Sequence, residues 1–83
     1  MKTYTIIKRH RDRQTEVTGT LPELIEYFRY TLDCGASWNG QRGCAKVNKN
    51  PKSIKGLLTA LSNAVYNTQG SCYSQDSYRL KES

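Results

Sequence analysis

The sequence predicts an α+β fold in one domain spanning residues 1–83: a small antiparallel sheet with two helices packed on one face, in the order β-β-α-α-β. Three features of the chain lead there. The N-terminal residues alternate with a period of two and are rich in β-branched and aromatic types. Two later stretches repeat apolar residues at offsets of three and four, which lays them along one side of a helix. A short extended stretch near the C-terminus, Ser77 to Leu80, then offers a strand to the first pair.

From Thr3 to Arg9, Tyr4, Ile6 and Lys8 fall on one side and Thr3, Thr5, Ile7 and Arg9 on the other. Neither face is purely polar, as suits a central or covered strand. Arg9-His10-Arg11-Asp12-Arg13 is too charged to bury and predicts a turn, so Thr15 to Thr18 returns as a more polar edge strand that Gly19 ends. The product is a hairpin with a basic tip.

Thr20-Leu21-Pro22-Glu23 has the capping-box spacing, and Pro22 is tolerated within a first turn. Leu21, Leu24, Ile25, Phe28 and Leu32 form the apolar stripe of the first predicted helix, which Gly35 closes. Glu23, Tyr27 and Tyr30, with Glu26 and Asp33 nearby, give it an acidic, tyrosine-bearing outer side. In residues 36–48 the glycines predict turns, and Asn39-Gly40 has the composition that closes a short hairpin. Trp38 lies here, outside any periodic element, as either a lid on the core or an exposed anchor for a partner.

Asn50 as N-cap and Pro51 at the first helical position predict a second helix from Pro51 to about Thr68, stopped by Gly70. Ile54, Leu57, Leu58, Leu61 and Val65 form its stripe, with Lys52, Lys55, Thr59 and Tyr66 outside. Ser71 to Tyr73 also reads as extended, separated from the last strand by Ser74-Gln75-Asp76.

At 83 residues the core can only be modest. No apolar run approaches the roughly 20 residues needed to cross a bilayer, and the N-terminus lacks the pattern of a signal peptide. The expected compartment is cytoplasmic. Cys34, Cys44 and Cys72 are odd in number and irregularly spaced, which fits free thiols better than a disulfide framework or a zinc site with His10. No cofactor is implied.

The net charge of +6 is unevenly distributed. Residues 1–20 carry +3, residues 21–35 carry −2, residues 36–70 carry +5 with no acid at all, and the tail is neutral. Anionic partners follow from that asymmetry. Hydrolytic motifs and phosphate-cradling loops are absent, and the single histidine lies among arginines that oppose its acting as a base. The chain therefore reads as a non-enzyme. Lys46, Lys49, Lys52 and Lys55 crowd the start of the second predicted helix, where free N–H groups already favour an anion. Three readings of them stand side by side: a seat for nucleic-acid phosphates, a dock for an acidic protein surface, or a solvated helix face. The basic tip of Arg9, Arg11 and Arg13 has the same ambiguity.

Leu21 through Gly35, with Tyr27-Phe28, Tyr30, Leu32 and Cys34-Gly35, is followed by Lys46 through Lys55, with Asn48, Asn50-Pro51-Lys52 and Ile54-Lys55, and by Ala60 to Val65. Together these resemble small proteins encoded by tailed bacteriophages, in which two such helices precede a short strand bearing glycine and tyrosine, here Gly70 to Tyr78. The resemblance spans about residues 20–80. It implies an early-type phage product that binds and blocks a host protein, including defence machinery such as CRISPR effectors or restriction systems, and it carries over no catalytic residue.

The combined expectation is a phage-like, non-enzymatic inhibitor or modulator of a bacterial host protein, acting in the host cell cytoplasm without a membrane. Its contact surface is the lysine-rich segment with Arg42 and Trp38, and secondarily the arginine tip. The alternative is a small basic nucleic-acid-binding module using the same lysines. A monomer is expected, or a weak homodimer through Tyr27 and Tyr30.

Overall fold

The computed structural model describes residues 2–68 and 76–81. Strands β1 (Thr3–His10) and β2 (Arg13–Thr20) form a hairpin, followed by helices α1 (Leu21–Tyr27), α2 (Arg29–Ala36) and α3 (Ile54–Asn67), and by strand β3 (Asp76–Leu80). The sheet is antiparallel with strand order β2-β1-β3, so the last strand does pair with the first and makes it central. The predicted class and order hold, with the first predicted helix divided in two. Gly70, Cys72 and the extended reading of Ser71 to Tyr73 lie outside the described residues.

The hairpin is longer than its sequence suggests. Arg9, His10 and Arg13 belong to the strands, and only Arg11 and Asp12 make the turn, with Arg11 in the left-handed region at φ 57°. Charge did not end pairing because Arg9 and Arg13 remain exposed in it, so no charge is buried. Nor does Gly19 end β2. The strand runs on to Thr20, which is also the N-cap of α1. There the predicted capping box is complete. The Thr20 amide donates to Glu23 Oε1 at 2.9 Å, and the Glu23 amide donates to Thr20 Oγ1 at 3.4 Å.

The break between α1 and α2 falls at Phe28, whose backbone leaves the helical region (φ −95°, ψ 14°). Two i→i−4 bonds cross it, Phe28 to Leu24 and Leu32 to Phe28, both 3.0 Å. The apolar stripe therefore passes through unbroken and gives no sign of the kink. The buried Phe28 ring meets Tyr78 of β3 edge-on at 5.5 Å.

Gly35 does not close its helix as expected; it lies inside α2 and serves packing. A β-carbon there would come within 2.5 Å of Ala64 Cα and would collide with the Ala64 methyl. The second predicted helix is also shifted. It begins at Ile54, capped by Ser53, whose Oγ accepts from the Gly56 amide at 3.0 Å. Asn50 is otherwise engaged: its amide donates to Asn48 Oδ1 at 3.0 Å, and Arg29 reaches its side-chain oxygen at 3.5 Å. Pro51 is buried ahead of the helix rather than opening it.

Ile6 from the sheet joins Leu24, Phe28, Leu32, Val47, Leu57, Ala60, Leu61 and Ala64 in one core, with Tyr4, Val17 and Tyr78 packed against it from the same sheet face. The helices thus cover one side of the sheet. Of the α3 stripe, Leu57 and Leu61 are fully buried, Ile54 and Leu58 flank them, and Val65 is only half-buried. Ala60 and Ala64 are buried in the core instead, with Ala64 against Gly35 of α2.

Candidate binding surface

Residues 37–53 link α2 to α3 and carry most of the predicted contact residues. No strand forms there, and Asn39-Gly40 does not close a hairpin. Gly40 and Gly43 instead adopt left-handed φ of 84° and 83°, with Arg42 exposed between them.

Asparagine side chains hold the segment in place. Asn67, 8% exposed on α3, accepts from the Ala45 amide at 2.8 Å and donates to the carbonyls of Ala45 at 2.7 Å and Gly35 at 3.1 Å. Asn63, one turn earlier on the same helix, donates to the Lys46 carbonyl at 3.2 Å. Asn39 completes the set, donating to the Val47 carbonyl at 3.0 Å and accepting from its amide at 2.7 Å. Both backbone groups of Ala45 and Val47 and the carbonyl of Lys46 are thereby satisfied by side-chain amides, which can donate and accept at once. Val47 is drawn into the core while its neighbours Lys46 and Asn48 stay exposed.

From the other side, Arg29 donates to the Lys49 carbonyl at 2.9 Å, and Lys49 Nζ lies 3.8 Å from Asp33. Lys46, Lys49, Lys52 and Lys55 are all exposed along this run. An open depression of about 580 Å³, lined by Asn39 and residues 46–50, lies between the clamp and the lysines. Because α3 starts at Ile54, only Lys55 is helical; the others belong to the loop. Ser53 already takes one amide that an anion at the helix start would use, so the lysine side chains, more than the helix terminus, define the positive surface. Trp38 is 40% exposed and outside the core cluster. It sits one residue before the Asn39 clamp, at the edge of the same segment.

The arginine tip is not one patch. Arg9 shares a face with Ile7, away from the helices, whereas Arg13 pairs opposite His10 on the other face, and Arg11 lies in the turn. Arg9 Nε donates to the Arg11 carbonyl at 3.2 Å.

Sequence reasoning missed the structural role of Asn39, Asn63 and Asn67. A signal was available: Asn63 and Asn67 stand four apart, beside the buried stripe of a helix, where asparagine is a poor helix former. Among the described residues no three His, Cys, Asp or Glu side chains gather as a metal site. Cys34 and Cys44 are free and half-buried. Among the same residues no helix is long and apolar enough to cross a membrane. No protein-family model, curated protein or solved structure matches the chain.

Proposed function

We propose that this chain is a non-enzymatic binding protein that docks its lysine-bearing segment on an acidic surface of a bacterial host protein, in the host cytoplasm, and inhibits or modulates it. The observation behind this reading is the fixed backbone under Lys46 and Lys49: the side chains of Asn39, Asn63, Asn67 and Arg29 order it before any partner arrives. Preorganisation lowers the entropic cost of association, and clustered positive charge steers encounter with an anionic partner. Trp38 at the edge supplies an aromatic anchor. The likeness to small phage proteins directs the proposal to host defence machinery, such as a CRISPR effector, as the target class.

The test is affinity capture from bacterial lysate with and without nuclease, comparing wild type with a Lys46→Glu, Lys52→Glu, Lys55→Glu variant. A stoichiometric host protein that survives nuclease and is lost with the variant supports the proposal. Recovery that depends entirely on nucleic acid moves the same lysines to the second reading, phosphate contact by a nucleic-acid-binding module, whose affinity falls steeply with salt.

A further inference from the structure

The face of the sheet turned away from the helices carries a different cationic site, independent of the lysine segment. Strand alternation places Thr5, Ile7 and Arg9 of β1 there. The register sets Gln14 and Ser77 on either side of Arg9, and Glu16 and Arg79 on either side of Ile7. Arg9 and Arg79 are thus diagonal neighbours on adjacent strands, a relation that spans about 7 Å and lets long side chains reach a common point.

A shallow cavity of about 280 Å³ opens between them, lined by Ile7, Arg9, Gln14, Ser77, Tyr78 and Arg79. Its floor is Ile7, only 8% exposed, although it lies on the face without helices. The cover comes partly from Lys81, whose Nζ meets Glu16 Oε1 at 2.9 Å. Lys81 continues β3 beside Thr5 and Glu16 lies on β2, so this ion pair bridges the central strand. It also neutralises Glu16, which stands opposite Ile7 in the register.

Among the described residues no acidic side chain lines the cavity and neither arginine has a carboxylate partner. Arg9 is tethered through Nε to the turn, which orients its guanidinium and leaves both Nη groups for a ligand. Two forked guanidinium groups around one small space match the oxygens of a phosphate, and the Gln14 amide and Ser77 hydroxyl add neutral donors. Tyr4 and Tyr78 pack against the core, Tyr78 with its ring edge-on to Phe28, so among the described residues no aromatic ring lies flat on this face for stacking bases. A compact phosphate group fits these features better than a nucleic-acid strand does.

We propose that the open sheet face binds a small phosphate-bearing ligand through Arg9 and Arg79, with Gln14 and Ser77 as auxiliary donors. The test is a titration of isotope-labelled protein with inorganic phosphate at constant ionic strength, following the amide resonances of Ile7, Arg9, Ser77 and Arg79. The expected result is saturable shifts centred on those residues. They persist in a Lys46→Gln, Lys52→Gln, Lys55→Gln variant and weaken by about tenfold or more in Arg9→Gln and in Arg79→Gln. Absent or non-saturating shifts in wild type overturn the proposal, as do shifts centred on the lysine segment. An oligothymidylate that binds this face more tightly than phosphate overturns the assignment to a small ligand.

Discussion

Asn67 shows how much one polar side chain organises in this molecule. Its amide satisfies the Ala45 amide and two carbonyls, one on α2 and one on the loop, from a position that is almost fully buried. Asn67→Ala would leave those groups unpaired in the interior, and a lost buried partner costs roughly 1–3 kcal/mol. The expected outcome is a lower urea midpoint by an amount equivalent to about 2–4 kcal/mol, with faster hydrogen exchange at the Ala45 amide. An unchanged midpoint would mean that water replaces the side chain and the clamp is dispensable. Under the proposed docking role, the loss should also weaken partner binding through the lysines, because their backbone would no longer be held.

At the scale of elements, the α2–α3 contact is set by Gly35 and Ala64. Gly35→Ala gains about 1 kcal/mol of helix propensity. It also forces a methyl into Ala64 and brings it to 3.2 Å from Val47 Cγ2. Overpacking of that kind costs about 1–3 kcal/mol, so net destabilisation is expected. Combining it with Ala64→Gly should restore part of the stability, and purely additive effects in the double variant would refute the contact as the cause.

The start of α1 gives a pH-dependent signature. The Thr20 backbone amide, and secondarily its hydroxyl, hold the exposed Glu23 carboxyl below its ordinary value of 4.5. A carboxyl depressed in the folded state stabilises above its unfolded pKa, and the benefit is lost as pH falls through the folded pKa. Glu23→Gln keeps an acceptor and removes the charge. The wild type's advantage over Glu23→Gln in urea melts should therefore be present at neutral pH and vanish on acidification below 4.5. A difference that stays constant into acid would exclude the charged cap.

At the scale of the whole molecule, the fold closes through its last strand. β3 pairs with β1, not with the strand before it, and delivers Tyr78 to Phe28 across the core boundary. Removing residues 76–83 would make β1 an edge and uncover Ile6 and Phe28. Cooperative unfolding is expected to disappear in that variant, as read by calorimetry; a sharp transition would show that the hairpin and helices suffice alone. The two positive surfaces are also a property of the whole. The lysines lie in the α2–α3 connection, whereas Arg9 and Arg79 lie on the sheet's uncovered face, so one chain presents cations in two directions.

What the sequence determined by itself is what local periodicity and capping encode: two strand-like alternations, the Leu21–Leu32 and Ile54–Leu61 stripes, the Thr20–Glu23 box, and exposed lysines before α3. These depend on contacts within a few residues, so composition and spacing reveal them. Only the tertiary structure decided the kink at Phe28, the choice of Ser53 over Asn50 as cap, and the burial of Gly35 within a helix. The same holds for the asparagine clamp on residues 45–47 and the meeting of Arg9 with Arg79. Most of those involve partners far along the chain: Phe28 meets Tyr78, Arg29 reaches Asn50, Ala64 faces Gly35, Asn63 and Asn67 of α3 hold the loop, and β3 brings Arg79 beside Arg9. A residue's local preferences permit several outcomes at such positions, and close packing or an otherwise unsatisfied backbone group selects one.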